Sequence, residues 1–292
     1  DHPEENIMKT DHTFDTPKPI LATLSVPAGD IVCTASDTAT TTVVIAGRRG
    51  DRVTPEDAVV AYADGHLEVT IPRAPGFLGW LGSGDGPSVR ITLPSGSRVT
   101  ADGAYGEVRF DGAFAAVAVK TSMGDVTVGD SVDVTVKTAH GDIRAGRLSG
   151  HTSLTTSNGD IRVASIDGTA VCKSSNGSVR LESVTGDVRA TTANGDVRVD
   201  DFAGTLGGTT TAGEIEVRNA RAGTITASTR FGNLTFGLAS GTAVWVDAQA
   251  GNGKVRNHLE TSDAPGEGPR LELRAQSAFG DIVLRRSREA LR

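Results

Sequence analysis

A glycine, followed by an acidic or polar residue and then by an apolar-x-apolar triplet, recurs along the middle of this chain. The steps between successive glycines are 18, 17, 18, 18, 18, 18 and 19 residues. A short and nearly constant period indicates a stack of equal structural units, and it constrains the fold more than any other feature of the sequence. The glycines are Gly106, Gly124, Gly141, Gly159, Gly177, Gly195, Gly213 and Gly232.

Two strands are predicted in each unit from the alternation of apolar and polar residues. Apolar side chains stand two and four residues after each glycine, as in Ile161 and Val163. A second alternating segment precedes the glycine, as in Val188 and Ala190. Such alternation is typical of strands with one buried face. Three residues before the glycine runs a hydroxyl column, which we expect to face inward: Thr121, Thr138, Thr156, Ser174, Thr192, Thr210 and Thr229.

The repeat predicts an all-β fold, a single-stranded β-solenoid (β-helix) with about 18 residues per coil and irregular terminal coils. Equivalent residues of successive coils would lie in register and bury a continuous core. The alternative is a meander of hairpins, because Asn-Gly at 158–159, 176–177 and 194–195 is also a hairpin signal. We favour the solenoid, since a meander does not require the same residue types at the same position of every unit.

Four segments differ in how closely they follow the period. Residues 1–19 are polar and are predicted to form a flexible N-terminal arm. Residues 20–105 are predicted to form irregular early coils of the solenoid, with a separate small β domain as the alternative. Residues 106–256 carry the regular repeats. Residues 257–292 are predicted to form a loop, a last coil and a C-terminal cap.

Composition and charge exclude several classes of protein. A net charge of −7 gives no general attraction to nucleic acid or to an anionic membrane. We predict no transmembrane segment, because the sequence has no run of apolar residues long enough to span a bilayer. Cys33 and Cys172 form no disulfide framework, and we expect Cys172 to be a buried free thiol. The polar N-terminus is unlike a signal peptide, so we expect a cytoplasmic protein. The alternative is an envelope-associated or secreted protein whose export signal has been removed.

Two charged columns accompany the repeat. Acidic residues follow most of the glycines, and arginines stand two residues further along. A carboxylate ladder could bind calcium or act on a glycan, and an arginine column could hold an anionic polymer. We interpret the acids instead as turn residues that the arginines on the same face neutralise. The candidate charged flank consists of Asp142, Asp160, Asp196, Arg144, Arg162, Arg180 and Arg198.

Polar residues at the turns have structural interpretations. Asn158, Asn176 and Asn194 precede glycines and are interpreted as left-handed turn residues. His140 occupies the same position, and neither it nor His151 has a third ligand at a fixed spacing. We therefore predict no metal, no cofactor and no catalytic residues.

A glycine-rich loop at residues 75–87 carries four large apolar side chains. One interpretation is that these side chains fold back and plug the core. The other is a tip that binds a partner, because exposed apolar patches mark interaction sites. The candidate contact residues are Phe77, Leu78, Trp80 and Leu81.

The repeated G-D-[IV]-x-[VA] units and the [ST]-x-N-G-D turns at 156–160 and 192–196 form a distinctive array. In this array, over about residues 13–286, the chain resembles the bacterial β-strand-repeat family labelled "putative adhesin", also called the toastrack group. The resemblance implies a single-chain β-solenoid with no established reaction and no catalytic residues. It also implies a link to the cell envelope or to envelope-stress systems.

The sequence therefore predicts a non-enzymatic β-solenoid that acts as a scaffold or protein-interaction module of a bacterium. Contacts would use the 75–87 loop, the ends of the solenoid or a long flank, and self-assembly is a special case. Solenoid ends are open strand edges, which recruit further strands unless they are capped. A protein partner or a second copy is expected rather than a glycan. The alternatives are a glycan-binding or glycan-active β-helix and a surface adhesin.

Overall fold

The computed structural model describes residues 7–48, 51–73, 86–259 and 268–287. The chain divides into two compact units, Asp1–Gly146 (unit 1) and Arg147–Arg292 (unit 2). The described residues are strands and turns with one short 3₁₀ helix, Pro55–Asp57. None of them forms a helix of the length and apolar character that a bilayer crossing requires.

Unit 1 is built of parallel coils to which antiparallel strands are added. Its described strands are β1 (Ile7–Asp15), β2 (Leu21–Ala28), β3 (Ile31–Ser36), β4 (Thr40–Arg48), β5 (Val59–Ala63), β6 (His66–Thr70), β7 (Ser88–Pro94), β8 (Arg98–Tyr105), β9 (Val108–Lys120) and β10 (Val126–His140). Strand β2 pairs in parallel with both β6 and β8, and β3 pairs in parallel with both β7 and β9. The first coil in sequence, β2 and β3, therefore lies between two coils that follow it along the chain.

The structure corrects the prediction of a flexible arm over residues 1–19 where it describes that segment. Strand β1 pairs antiparallel with β4 along its whole length, from Ile7 opposite Arg48 to Asp15 opposite Thr40. One face of β1 is half-buried, and its Phe14 ring lies 5.2 Å from the ring of Tyr62 between centroids. The polar composition concealed a strand because only alternate side chains of an added edge strand contact the protein.

Unit 2 contains the most regular coils. Strand β11 (Ile143–Leu148) includes the point at which the two units divide. The strands that follow are β12 (His151–Asn158), β13 (Ile161–Ile166), β14 (Thr169–Asn176), β15 (Val179–Val184), β16 (Asp187–Asn194), β17 (Val197–Ala212), β18 (Ile215–Phe231), β19 (Leu234–Leu238), β20 (Ala243–Asn252), β21 (Val255–Asn257), β22 (Arg270–Phe279) and β23 (Ile282–Arg286).

Successive coils of unit 2 pair in parallel and in the register of the repeat. Asn158 lies opposite Asn176, which lies opposite Asn194. A hairpin meander would give antiparallel neighbours, so the predicted all-β solenoid is confirmed. Inward columns such as Leu154, Cys172 and Ala190 are fully buried.

The order of the coils in space departs from the order in sequence at the C-terminal end of unit 2. Strand β22 pairs on one side with β18 and on the other with β20. Strand β23 likewise lies between β19 and β21. Strands β20 and β21 therefore form the end coil, although they precede β22 and β23 in the sequence. Strands β22 and β23 lie between that end coil and the coil of β18 and β19.

The repeat glycines are required by the close approach of neighbouring coils. Gly195 has φ of +149°, and a Cβ at this residue would lie 2.3 Å from the carbonyl oxygen of Gly177. Only glycine combines this backbone conformation with this distance. Among the described residues other than glycine, only Asp64 has a positive φ. The interpretation of the asparagines as left-handed turn residues is therefore wrong, because the following glycine adopts that conformation.

The hydroxyl column faces inward as predicted and joins successive coils. Thr192 Oγ1 donates to the Gly177 carbonyl oxygen at 2.9 Å, and Thr210 Oγ1 donates to that of Gly195 at the same distance. Both threonines are buried. A buried hydroxyl needs such a partner, which explains why the column is restricted to serine and threonine.

Candidate functional site

The predicted charged flank is occupied by contacts within the repeat. Asp160 Oδ1 accepts the backbone N–H of Ser178 at 2.8 Å, and Asp160 Oδ2 lies 2.6 Å from Arg162 Nη2. Asp196 Oδ1 accepts the N–H of Glu214 at 2.9 Å in the same way. One carboxylate oxygen thus binds an amide of the next coil and the other lies toward an arginine.

The arginines of the flank contact acids of their own or neighbouring coils. Arg144 Nη2 lies 2.9 Å from Asp142 Oδ2, and Arg198 Nε lies 3.0 Å from Glu216 Oε2. Arg180 Nη2 reaches Asp200 Oδ2 at 2.8 Å. Hydrogen bonding to Asp125 raises the pKa of the Arg144 guanidinium above its ordinary value. The two columns form a lattice of opposite charges, which leaves little unpaired charge for calcium or for an anionic polymer.

The remaining candidates offer no reactive group within the described residues. Cys33 and Cys172 are both buried free thiols, and burial raises the pKa of the Cys172 thiol to about 12. No cluster of three metal-ligating side chains occurs in the ranges that the structure describes. The loop residues Phe77, Leu78, Trp80 and Leu81 lie outside those ranges, so the partner contact predicted there stays a prediction.

Counting described strands only, the C-terminal end of unit 2 presents an unpaired sheet edge. Among the described strands, β20 pairs only with β22 and β21 pairs only with β23. Leu271 and Leu273 of β22 are buried, but the matching Val244 and Val246 of β20 are only half-buried. Val255 of β21 is 44% exposed. Within the part of the chain that the structure describes, the apolar side of this end coil is therefore only partly covered.

The free backbone groups of β20 can be assigned from the direction of its pairing. The N–H of Ala243 donates to the Pro269 carbonyl oxygen at 2.9 Å, toward β22. Successive residues of a strand direct their N–H and C=O groups to opposite sides. The groups that point away from β22 are therefore those of Val244, Val246, Ala248 and Ala250. These four residues form a row of donors and acceptors along the open edge.

Exposed aromatic side chains lie around the same end. Trp245 is 55% exposed, and the Arg274 guanidinium lies 5.7 Å from its ring centroid. Phe231 and Phe279 are 51% and 49% exposed and stack at 5.2 Å between centroids with an interplanar angle of 16°. Our sequence analysis missed this pair, because 48 residues separate the two phenylalanines. A signal was present, since each stands directly before a glycine, Gly232 or Gly280.

An open groove of about 850 Å³ runs along this end of unit 2. Phe279 forms an apolar part of its wall, and amides, a hydroxyl and a guanidinium form much of the rest. The polar side chains include Ser228, Arg230, Gln249, Asn252 and Gln276. A groove with an aromatic wall and several polar groups, next to a free sheet edge, is suited to hold an extended polymer.

The chain is similar to several proteins of known structure. A "putative adhesin" from Bacteroides fragilis is 16% identical, with a TM-score of 0.43, and the match covers 97% of this chain and 98% of that one. A "putative lipid binding protein" from Parabacteroides distasonis is 12% identical, with a TM-score of 0.34 and coverage of 96% and 97%. At these identities and TM-scores, neither match supports a conclusion about this chain.

No curated protein matches the chain. The family model described as Toastrack DUF4097 matches residues 23–267, which are most of the sequence. The resemblance that the repeat indicated is thereby confirmed. The chain belongs to the toastrack family.

Proposed function

We propose that this toastrack protein is a non-enzymatic interaction module that binds a partner chain as an added strand on β20, at the open end of unit 2. The observation that carries the proposal is one-sided pairing: β20 and β21 each have a single described neighbour, and their inward side chains are only half-buried. An extended peptide on such an edge gains main-chain hydrogen bonds along its length. It also covers the exposed apolar side chains of the edge strand.

A binding role rather than catalysis is supported by the contacts that the carboxylates of the repeat make within the protein. Asp142, Asp160 and Asp196 contact backbone amides or arginines of their own and neighbouring coils. A general acid or base has to reach a substrate proton, and a carboxylate held in a turn lattice is poorly placed to do so. The absence of catalytic activity and the cytoplasmic location expected from the sequence are both part of this proposal.

The partner is proposed to be a protein segment rather than a glycan at this edge. The free groups of Val244, Val246, Ala248 and Ala250 are backbone donors and acceptors spaced for another strand. A second copy of the chain would pair through the same edge, and this is the special case of self-association. A two-fold arrangement with β20 antiparallel to its copy would satisfy the open edges of both molecules.

The test is selection from a displayed library of random ten-residue peptides, with Ala248→Pro as the blocked variant. Proline removes one outward N–H but leaves the hydrogen bonds toward β22 in place, and it is tolerated on edge strands. Ala248→Ser is the matched control, because it changes the same side chain and keeps the N–H. We expect peptides that bind the wild type and Ala248→Ser and that lose at least about tenfold in affinity on Ala248→Pro.

Two further results decide the proposal. Sedimentation velocity of the wild type and of Ala248→Pro over a concentration range separates a peptide partner from a second copy, since only self-association depends on protein concentration. Selection that yields no peptides, together with sedimentation as a monomer at every concentration, would overturn strand addition. Peptides that bind Ala248→Pro as tightly as the wild type would overturn it too.

A further inference from the structure

A column of outward side chains in unit 2 is interrupted at one residue. The members of the column stand directly before the repeat glycines, and their strands pair in register. Neighbouring members are one strand spacing apart, about 4.8 Å. In spatial order the column consists of Asn158, Asn176, Asn194, Ala212, Phe231, Phe279 and Asn252. Only Ala212 lacks a long side chain, and it is exposed.

On one side of Ala212 an amide ladder ends with an acceptor. Asn176 Nδ2 donates to Asn158 Oδ1 at 3.0 Å, and Asn194 Nδ2 donates to Asn176 Oδ1 at 2.9 Å. The oxygen and the nitrogen of an amide lie on opposite sides of its carbon. Asn194 Oδ1 therefore points onward to the layer of Ala212, where no described side chain donates to it.

On the other side of Ala212 an aromatic stack ends with a free ring face. Phe231 uses one face to stack on Phe279, and its other face is directed toward the Ala212 layer. The two walls, Asn194 and Phe231, are two strand spacings apart, or about 9.6 Å. The recess between them, which we term the Ala212 slot, has the height of one inserted ring.

We propose that the Ala212 slot binds one pyranose ring of a glycan, and that it selects a sugar with an axial hydroxyl, as in galactose. Such a ring has C–H groups on one face and the axial O–H on the other. The C–H face would lie on Phe231, because an aromatic face is electron-rich and attracts polarised hydrogens. The axial O–H would donate to Asn194 Oδ1. Both walls then receive a matching group from a single ligand.

An aromatic side chain of a partner protein fits the Ala212 slot less well. Its second face would meet the oxygen of Asn194, and an electron-rich face repels a carbonyl oxygen. The rim also favours a sugar, because Thr211 and Arg230 are exposed beside the slot and can bind equatorial hydroxyls. The site uses neither the edge of β20 nor the proposed strand addition, so it is independent of that proposal.

The test is a titration of the isotope-labelled protein followed by nuclear magnetic resonance, with two epimeric ligands. Methyl β-D-galactopyranoside has an axial O4, and methyl β-D-glucopyranoside has an equatorial O4. For a contact with one ring we expect a dissociation constant of about 1 mM for the galactoside. We expect binding of the glucoside to be about tenfold weaker, since it leaves Asn194 Oδ1 without its donor. The largest shifts should fall on Ala212, Asn194 and the Phe231 ring.

Two variants locate the site. Ala212→Asn continues the ladder that Asn158, Asn176 and Asn194 already form, so the variant should fold normally and lose galactoside binding. Asn158→Ala alters the far end of the same ladder and should keep the wild-type affinity. Ala248→Pro, which blocks the proposed strand addition, should also keep it, so that failure of one proposal is distinguishable from failure of the other.

Three results would overturn the proposal. One is the absence of any shift at the Ala212 slot up to about 50 mM galactoside, well above the expected constant. Another is an unchanged affinity in Ala212→Asn. The third is binding of N-acetyl-tyrosinamide in the slot when neither glycoside binds, which would make it a site for an aromatic side chain.

Discussion

The end strands of unit 1 and those of unit 2 close their cores to different degrees. In unit 1, β4 adds antiparallel to β7, and β1 adds to β4. Val43 and Ile45 of β4 are completely buried as a result. In unit 2 the end coil of β20 and β21 has no further described strand beyond it, and Val244 and Val246 stay half-buried.

The outward faces of the two edge strands differ as well. Strand β1 presents an ion pair between Lys9 and Asp11, whose charged atoms lie 3.1 Å apart. Charges on an edge strand discourage the addition of another chain. Strand β20 presents Trp245, which is more than half exposed, and one charged residue, Asp247. The outward face of β20 therefore carries fewer charges than that of β1, which is what the proposed strand addition on β20 requires.

The largest expected effect tests whether the end coil of unit 2 can be displaced without unfolding the coil beneath it. A Cβ at Gly280, which has φ of +148°, would lie 2.0 Å from the Gly232 carbonyl oxygen, and one at Gly253 would lie 2.0 Å from that of Gly280. Gly280→Ala disturbs a coil with neighbours on both sides, so we expect a loss of about 3 kcal/mol or more in the free energy of unfolding. Gly253→Ala should cost about 1 kcal/mol, because only the end coil is displaced.

Urea denaturation of the purified variants measures both losses. Gly241→Ala is the control for backbone strain, since φ is +78° there and a Cβ would meet nothing within 4 Å. It should cost about 1 kcal/mol. Equal large losses in Gly280→Ala and Gly253→Ala would show that the end coil is as firmly integrated as the coil beneath it.

A matched pair of valines compares core closure at the two ends directly. Val43→Ala removes methyl groups from a fully buried site in β4, so we expect a loss of about 2 kcal/mol. Val246→Ala makes the same change on half-buried β20 and should cost less than about 1 kcal/mol. Urea denaturation of the two variants checks the difference, and equal losses would contradict the account of an open end.

The two buried thiols predict how stability depends on pH in each unit. Burial raises the pKa of Cys172 to about 12 and raises that of Cys33 above its ordinary value of 9.0. A raised pKa in the folded state means that the unfolded chain loses its thiol protons first. Stability should therefore be intact below pH 9 and fall as the pH rises above it, by up to about 1.4 kcal/mol per pH unit for each thiol.

Urea denaturation between pH 8 and pH 11 tests this dependence. Cys33→Ala and Cys172→Ala should each reduce the slope by the contribution of one thiol. The decrease in the pH slope of the unfolding free energy in Cys33→Ala reports on β3 in unit 1. The corresponding decrease in Cys172→Ala reports on β14 in unit 2. Slopes unchanged from the wild type would mean that the thiols ionise in the folded protein, and hence that the coils around them open.

The smallest expected effect concerns a hydrogen bond and an ion pair by which Asp281, in the coil beneath, contacts the end coil. Asp281 Oδ1 accepts the backbone N–H of Lys254 at 2.8 Å, and Asp281 Oδ2 lies 2.8 Å from Arg256 Nη2. Asp281→Ala should lower the local stability of β21 by about 1 kcal/mol, which is about a fivefold faster amide exchange. Asp30→Ala removes the equivalent bond to the Glu107 N–H in unit 1 and should leave β21 unchanged.

Much of the fold could be predicted because the repeat is local and periodic. The register of Asn158, Asn176 and Asn194 follows directly from the 18-residue spacing. The order of the end coils could not be predicted, because Gly253 and Gly280 carry similar turns and the pattern does not state which coil stacks on β18. The strand nature of residues 7–15 was hidden for a related reason, since its only described partner is the distant β4.

The candidate site was predictable only in part. The alternation of charge at Asp160 and Arg162 was enough to indicate that the acidic and basic columns neutralise each other. The stacked pair of Phe231 and Phe279 arises only because β22 pairs with β18, and this pairing is set by the tertiary arrangement. The interruption at Ala212 was in the sequence, but its meaning depends on which side chains lie above and below it.

Amide hydrogen exchange of the native protein, resolved by residue, tests the central claim most directly. The account predicts that the N–H groups of Val244, Val246, Ala248 and Ala250 exchange within about tenfold of the unstructured rate, because they point away from β22. In β4, which pairs on both sides, the amides of Val43 and Ile45 should exchange at least about 10⁴-fold more slowly. Equal protection of the two sets would mean that the end of unit 2 is closed, and it would contradict the proposed binding edge.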